Sequence, residues 1–408
     1  MVSVPAAPSV FASRAFRQYF VGQSLSMLGD GLRTLAVPLL AYHLTHSALS
    51  TGAAFICEIV PFSLFSLIGG SLADRLDRRK LMIGCDAIRF AVMAFFAIAF
   101  WLHFLTLSMI YGGLIVISTC AAAFLGGQSS SIPYMLGKER STEAIAVLIA
   151  SENTSNLVAP VIGGALFAYF GPLPALTLNA LTYLGSQISL ARISSLGPES
   201  VGGLPTARHL RDDVALGFRQ LWGDLTMRLQ SLAGFLFNFF GFGSYAILIP
   251  FLKKGFGASD QQVGIFLGIS AVGAVLGASF AAKFSRRWHF GRALTTAYLL
   301  DALLFIPVVL ANNIWVVAAF WAASNTVANF EIAQIIGFRM RVTPETMIGR
   351  VMGAVRLIVL AGMAPGVLAF GYVADTYSPH AAMWIGCVGY IVIAFAAVAL
   401  RPLREETR

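Results

Sequence analysis

Nine charged side chains fall inside long apolar stretches of the sequence. They are Asp30, Arg33, Glu58, Asp86, Arg89, Glu152, Asp301, Glu331 and Arg356. In the middle of a bilayer each would cost about 2.5–3.5 kcal/mol on insertion scales, so none is expected to face lipid. Six of the nine are acids, and an acid without a partner in a low-dielectric place can hold a proton near neutral pH. The sequence therefore contains the acids that a proton-coupled protein requires.

Two acid–base pairs in this set have the i, i+3 spacing of neighbours on one helix face, Asp30 with Arg33 and Asp86 with Arg89. Asp86 and Arg89 follow a charged turn closely, so we expect them to belong to a charge network at the membrane surface. Asp30 and Glu58 lie near mid-depth, and Glu58 has no basic neighbour in the sequence. We interpret both as carboxylates that carry a proton or recognise a cation, with purely structural hydrogen bonding as the alternative.

The composition places these charges in a membrane protein. The 408 residues are 57% hydrophobic and 12% charged, with a mean hydropathy of +0.77. Soluble chains carry about 25% charged residues. The net charge of +9 does not indicate nucleic-acid binding, because the basic residues sit in short turns between apolar runs, as in cytoplasmic loops.

Twelve apolar runs are long enough to cross a bilayer as helices, six in each half of the chain. They cover 17–43, 48–73, 81–102, 108–132, 142–170, 173–194, 228–252, 260–283, 292–311, 315–339, 346–373 and 381–401. The halves are predicted as 1–194 and 228–408. The linker between them, 195–227, turns amphipathic, which predicts a helix on the membrane surface. Most Lys and Arg lie on one side of this arrangement, which predicts that both termini are cytoplasmic.

The turn after the second run carries the densest charge. Residues 69–80 read Gly-Gly-Ser-Leu-Ala-Asp-Arg-Leu-Asp-Arg-Arg-Lys, and a related stretch recurs at 277–287. The recurrence, about half a chain later, indicates two copies of one unit.

Twelve runs in two halves, with a Gly-x-x-x-Asp-Arg-x-x-Arg-Arg turn after the second, resemble the major facilitator superfamily. Three further motifs resemble the enterobactin-exporter and macrolide-efflux branch: Leu-Gly-Asp at 28–30, Ala-Pro-Val-Ile-Gly-Gly at 159–164 and Pro-Glu-x-x-x-Gly-Arg at 344–350. The resemblance implies an all-α integral membrane protein with twelve transmembrane helices in two six-helix halves. It also implies a protein of the bacterial cytoplasmic (inner) membrane, whose partners are the lipid bilayer, a small-molecule substrate and protons. No sequence feature calls for an obligate oligomer, so a monomer is expected.

In this fold the first, fourth, seventh and tenth spans line a central cavity. The resemblance therefore points to Asp30, Arg33, Gln128, Asn238, Asn325, Asn329 and Glu331 as cavity residues. Glu152 is a further proton-coupling candidate, and Asp301, on a usually peripheral span, is assigned a structural role. The fourth run lacks the arginine that is frequent in proton-driven exporters of this superfamily, and Arg33 is expected to supply a comparable charge.

The charged turn is interpreted as half of a conformational latch. Asp74 ends the second span, where a carboxylate can accept from the helix terminus that opens the eleventh span, or pair with Arg350. Such a contact would hold the cytoplasmic side shut; the alternative is that the cluster only fixes topology. The residues assigned to the latch are Gly70, Asp74, Arg75, Arg78, Asp86, Arg89, Arg350 and Arg356.

The fifth span contains Pro160, Gly163 and Gly164, which resemble a motif associated with antiporters. Proline removes a backbone hydrogen bond and bends the helix, while glycines permit close packing. We therefore expect a rigid kink against the other half.

Together these features predict a secondary transporter that exports a lipophilic or amphipathic small molecule, such as a drug or siderophore, against inward proton flow by alternating access. An importer, a uniporter or a lysophospholipid mover of the same fold is the alternative, and an integral-membrane enzyme or a non-transporting sensor is more remote. No nucleotide-binding loop is present, and the six scattered histidines have no metal-ligand spacing. No cofactor, metal or nucleic acid is therefore expected.

Overall fold

The structure is a computed structural model, and it describes residues 10–73, 76–194, 196–197, 207–284, 289–344 and 347–400. Within these ranges the chain forms a short 3-10 turn, Val10–Ala12, and fourteen α-helices. The helices are α1 (Arg14–Thr45), α2 (Ala48–Ala73), α3 (Arg78–Trp101), α4 (Leu107–Leu136), α5 (Lys138–Phe170), α6 (Pro172–Ala191), α7 (Ala207–Gly223), α8 (Leu225–Ala246), α9 (Leu248–Phe256), α10 (Asp260–Phe284), α11 (Phe290–Leu310), α12 (Ile314–Val342), α13 (Ile348–Thr376) and α14 (Pro379–Ala399).

Short polar side chains begin several of these helices. Ser13, Thr106 and Ser378 each accept a hydrogen bond from a backbone N–H in the first turn of α1, α4 and α14. Each bond satisfies a donor that has no partner within its helix. At the other end, His46 closes α1 and Gly257 closes α9, both in the left-handed conformation that is usual after a helix C-terminus.

Each predicted apolar run coincides with one long helix, except the seventh, which is divided. In the part of the chain that the structure describes, eight helices are individually long and apolar enough to cross a membrane, and α8 with α9 forms a ninth candidate, bent by 46°. The bend has a local cause. The ring of Pro250 clashes with a continuous helix at the carbonyl four residues earlier, which belongs to Ala246, where α8 ends.

The other three long helices, α1, α6 and α12, are less apolar because they carry polar residues that face the bundle interior. Gln23 and Arg33 on α1 are buried, as are Asn179 on α6 and Glu331 on α12. Polar side chains at membrane depth are stable when they face protein rather than lipid. The chain is therefore a multi-pass, all-α membrane protein.

The two six-helix halves meet mainly through two helix pairs, α2 against α13 and α5 against α10. We call the end of the bundle that holds the α1–α2 connection the distal face, and the opposite end, where α1 begins and α14 ends, the terminal face. The halves approach each other closely near the distal face, where a Cβ on Gly164 would lie 2.7 Å from Cα of Gly264. Only glycine permits backbones to approach this closely.

The amphipathic linker segment forms helix α7. Leu221 is fully buried, whereas Leu216 and Trp222 are exposed. A Cβ on Gly217 would lie 2.2 Å from the backbone oxygen of Arg350, so α7 packs directly against the first turn of α13. The linker helix is thus attached to the second half of the protein.

Candidate functional site

Arg33 joins the first two helices through two carboxylates. Its Nη2 lies 2.7 Å from Oε1 of Glu58 on α2 and 3.5 Å from Oδ1 of Asp30 on α1. The sequence spacing paired Arg33 with Asp30 and left Glu58 without a base, and for Glu58 this interpretation is wrong. Because α1 and α2 are antiparallel neighbours, Glu58 reaches Arg33 across the helix pair more closely than Asp30 does along one helix.

Asp30 connects three helices. Its Oδ1 accepts a 2.5 Å hydrogen bond from the Tyr183 hydroxyl of α6, and its Oδ2 lies 3.9 Å from Nη1 of Arg89 on α3. The side chain is nevertheless 36% exposed, whereas Arg33 and Arg89 are almost fully buried. Asp30 is thus an accessible carboxylate held between two buried cations.

Asp86 and Arg89 belong to the same network. Nη2 of Arg89 lies 2.5 Å from Oδ1 of Asp86, and both side chains are buried. The pair, expected in a charge network at the membrane surface, is joined to Asp30 through Arg89. The pair lies about two to three helical turns beyond the start of α3, at 1.5 Å per residue, and this depth carries it into the bundle.

Arg89 also supplies a buried cation next to the fourth span, which has no arginine of its own. Its guanidinium lies 4.6 Å from the ring centre of Phe124 on α4 and 4.7 Å from that of Tyr183. Aromatic faces attract a desolvated cation. Tyr183 was missed in the sequence because an isolated tyrosine in an apolar run gives no signal of its partner.

Two other candidates in the first half, Glu152 and Gln128, form none of the ion pairs described above. Glu152 is exposed on α5, within electrostatic range of Asp30. Gln128 is partly buried on α4.

A cavity of about 680 Å³ lies between α8, α11, α12 and α13 of the second half and α2 of the first. Its wall is mostly apolar and includes two of the predicted site residues, Asn238 and Glu331. The complete lining is Ser63, Ser66, Ser231, Gly234, Phe237, Asn238, Phe242, Tyr298, Glu331, Ile332, Ile335, Ile336, Arg339, Met352, Gly353, Val355, Ile358 and Val359.

A second cavity of about 290 Å³ continues along the same wall of α8 and α12. It contains Asn325 and Asn329, and it shares Phe237, Asn238, Phe242 and Ile332 with the larger cavity. The asparagine amides are engaged: Asn325 donates to Ser270 Oγ at 3.0 Å, and Asn329 donates to the Asn325 carbonyl at 2.9 Å. Asn238 likewise donates to the Gly234 carbonyl at 2.6 Å.

Arg339 is a cavity residue that sequence reasoning missed. The tenth apolar run was ended at residue 339, and Arg339 at its last position was not counted among the charges inside the spans, but α12 continues to Val342 and buries the side chain. Arg339 follows Glu331 by only eight residues, and this short spacing could have indicated that both residues lie on one helix. Asp301 is buried and accepts a hydrogen bond from the Ser324 hydroxyl.

The predicted latch lies mainly outside the described residues. Asp74 and Arg75 are among the residues that the structure does not describe, and so is the side chain of Arg356 in α13. Gly70 lies in α2, Arg78 opens α3, and Arg350 lies in the first turn of α13. The latch therefore stays a prediction.

The proline–glycine motif of α5 lies partly at the interface between the halves. A Cβ on Gly264 would lie 2.6 Å from the backbone oxygen of Pro160, and Gly164 packs against the same glycine. Gly163 instead faces Leu32 of α1, within its own half.

Further contacts join the halves at the distal face. Asp375 at the end of α13 accepts hydrogen bonds from the Ser47 hydroxyl at 2.5 Å, the Ala48 N–H at 2.7 Å and the Leu49 N–H at 3.0 Å. Asp260 of α10 lies 3.2 Å from Nε2 of His43 and also pairs with Lys253. The described contacts therefore close the distal face.

Known proteins share this architecture. The chain is 24% identical to the enterobactin exporter EntS of Escherichia coli O1:K1 / APEC, over 96% of this chain and 94% of that protein. Among solved structures, a bacterial homolog of the human lysosomal transporter Spinster, inward-facing and unoccupied, has a TM-score of 0.73 at 16% identity and covers 98% of this chain and 99% of that one. The nucleoside transporter NupG has a TM-score of 0.74 at 14% identity, covering 95% and 99%.

The profile of one family, described as transmembrane secretion effector, matches residues 4–407, which is nearly the whole chain. The chain thus belongs to the transmembrane secretion effector family of the major facilitator superfamily transporters.

Proposed function

We propose that this transporter is a proton-coupled exporter of lipophilic or amphipathic small molecules that works by alternating access in the bacterial cytoplasmic membrane. The observation that carries the proposal is Asp30, an accessible carboxylate held by Tyr183 and flanked by two buried arginines. A proton arriving at Asp30 would remove its attraction for both cations. Charge and conformation are thereby linked at a single residue.

Glu58 is the second part of this coupling device. Arg33 is shared between Glu58 and Asp30, so neutralising Asp30 leaves Arg33 paired with Glu58 alone. Asp30 lies on α1 and Glu58 on α2, so a change in which acid Arg33 pairs with alters the attraction between the two helices. Glu152, within electrostatic range of Asp30, is a further group through which the proton can pass.

The shape and lining of the larger cavity support a lipophilic cargo. Its volume lies within the range of about 300–1,000 Å³ that is typical of small-molecule sites, and such sites are mostly apolar with a few placed polar groups. Phe237, Phe242 and Ile332 belong to both cavities, which places an aromatic and aliphatic surface along the path. A sugar, which needs many hydrogen-bonding groups, would fit this wall poorly.

Closure at one face supports alternating access. The contacts of Asp375, Asp260 and Gly164 close the distal face, while the larger cavity is lined by Ser66 near the end of α2 and Met352 near the start of α13, both toward the terminal face. With both termini in the cytoplasm, as the charge distribution predicts, this is the inward-facing state. We further propose a functional monomer with halves at 1–194 and 228–408.

Export is favoured over import by the relative described as an enterobactin exporter. The likeness covers nearly the whole chain, so the direction of transport is carried over as part of the proposal. An importer, a uniporter or a lysophospholipid mover remains the second candidate because the fold alone does not set direction.

The proposal is tested by flux in proteoliposomes with an imposed proton gradient. The parent, Asp30→Asn and Glu58→Gln are assayed with lipophilic cations, macrolides and catecholate siderophores, with Asp301→Asn as the control acid outside the network. We expect gradient-driven flux in the parent, its loss in Asp30→Asn with substrate exchange retained, and little change in Asp301→Asn. Flux that ignored the gradient and both substitutions would contradict the proposal and indicate a uniporter.

A further inference from the structure

A buried acid and a buried base, Glu331 and Arg339, line the larger cavity. Glu331 is 2% exposed and Arg339 is 7% exposed. Oε1 of Glu331 and Nε of Arg339 have no hydrogen-bond partner in the part of the chain that the structure describes. Burying such groups without partners is costly, so a ligand that bonds to these side chains from the cavity they line is favoured.

The two groups are too far apart to satisfy each other. They lie eight residues apart on α12, which is about 12 Å along the helix axis at 1.5 Å per residue. Ile332, Ile335 and Ile336 line the cavity between them. The wall of α12 therefore presents an acid, an apolar middle section and a base in that order.

Asp301, the acid next to Glu331, does not neutralise this pattern. Asp301 acts on Glu331 as a second acid, not as a counter-charge. Its own carboxyl is bound by the Ser324 hydroxyl, and Asp301 does not line the cavity. Across the cavity from α12, Phe237 and Phe242 of α8 add aromatic surface.

We propose that this cavity selects lipophilic molecules that carry an amine at one end and a carboxylate at the other. The amine donates to Glu331, the carboxylate accepts from the guanidinium of Arg339, and the apolar body lies against the isoleucines and phenylalanines. The planar fork of an arginine suits a carboxylate particularly well. The inference rests on the proposed function and narrows its substrate class.

Selectivity follows from the same geometry. A molecule that lacks one charged end would leave one buried group of the cavity without a partner, and sites built in this way discriminate strongly against such analogues. A doubly charged but short molecule would reach only one of the two groups. Both the charges and the length of the cargo are therefore specified.

The test is equilibrium binding in lipid nanodiscs without any gradient. Four tritiated ligands of matched length are compared: ω-aminododecanoic acid, dodecylamine, dodecanoic acid and dodecanol, each corrected for uptake by nanodiscs without protein. We expect the parent to bind the amino acid at least about tenfold more tightly than the three others, as charge-assisted hydrogen bonds predict. Equal affinity for the amino acid and dodecanol would overturn the proposal, and this comparison needs no variant.

Two substitutions then assign the ends. Arg339→Gln is expected to lower the affinity for ω-aminododecanoic acid and dodecanoic acid about tenfold and to leave the affinity for dodecylamine unchanged. Glu331→Gln is expected to lower the affinity for the two ligands that carry an amine, ω-aminododecanoic acid and dodecylamine. The matched control for the base is Arg341→Gln, an exposed residue on the same helix. The control for the acid is Asp77→Asn, a partly exposed residue that caps α3 and does not line the cavity. Equal weakening of all four ligands by either variant would indicate a structural role and contradict the assignment.

The outcome separates this inference from the proposed function. Charge-selective binding without gradient-driven flux would keep the substrate class and reject proton-coupled export. Gradient-driven flux of other compounds, together with no charge preference in binding, would keep the exporter and reject the substrate class.

Discussion

Oδ1 of Asp375 accepts a 2.7 Å hydrogen bond from the backbone N–H of Ala48, so the end of α13 caps the beginning of α2 across the two halves. Oδ2 of the same carboxylate accepts from Leu49 and from the Ser47 hydroxyl. A negative charge at a helix N-terminus is stabilised both by these N–H donors and by the helix dipole. This contact exists only while the distal face is closed.

Removing the Asp375 carboxylate should therefore favour opening of the distal face. For Asp375→Ala we expect a shift of the closed-to-open ratio of about 10- to 100-fold, from the loss of about 1.5–3 kcal/mol in hydrogen bonds to a charged group. Spin labels at Leu44 and Tyr377, which are exposed on opposite halves at this face, would report the distance between them. The control is Asp77→Ala, which removes a cap within the first half; an equal shift in both variants would contradict the prediction.

The glycine contact between α5 and α10 should tolerate no added carbon. In Gly264→Ala the new Cβ would lie 2.6 Å from the Pro160 carbonyl, and overpacking of this kind costs about 1–3 kcal/mol. We expect a lower thermal midpoint in detergent and a more open distal face. Gly112→Ala is the matched control, because no other side chain or neighbouring backbone lies within 4 Å of its Cβ position; it should be neutral or slightly stabilising.

Arg33 and Glu58 should be energetically coupled. Breaking a buried ion pair from one side costs about 3–5 kcal/mol because the other charge is left without its partner. We expect Glu58→Gln and Arg33→Gln each to destabilise the protein, and the double variant to cost clearly less than the sum. Denaturant unfolding of the four proteins in micelles measures this coupling. Strict additivity would show that the 2.7 Å contact contributes no pairwise energy.

The hydroxyl of Tyr183 should contribute more stability than an ordinary tyrosine hydroxyl. It donates to the Asp30 carboxylate, whereas Tyr111 donates to the neutral carbonyl of Ser50 at 2.9 Å. Hydrogen bonds to charged groups contribute about 1.5–3 kcal/mol and neutral ones about 0.5–1.5 kcal/mol. The expected order of destabilisation is therefore Tyr183→Phe above Tyr111→Phe, measured by unfolding in the same detergent. The reverse order would argue against a charged Asp30 in the resting protein.

The helices were predictable from the sequence because a bilayer sets a minimum apolar length, and each run of that length became a helix. The divided seventh span was not recognised, although Pro250 carried the physical signal for it. Arg339 was missed for a related reason, since a helix can continue past its last apolar residue and bury a base near its end.

The partners of the charged residues were less predictable than their positions. Spacing along one helix predicts that Asp30 pairs with Arg33. It contains no information about Glu58 on the next helix or Tyr183 on the sixth. The depth of Asp86 and Arg89 follows from the rise per residue once the start of α3 is known. Which residues face each other across helices depends on the rotation of each helix, and a sequence without its neighbours leaves that rotation open.

The contact between Gly217 and the Arg350 carbonyl has a consequence for dividing the chain into two polypeptides. A division placed ahead of α7 would leave the linker helix on the same polypeptide as the turn against which it packs. A division placed after α7 would leave that helix at the end of the first polypeptide, separated from its covalent connection to α8. Co-expressed fragments should therefore reassemble better from the first division than from the second, because the natural seam of this transporter lies before its linker helix.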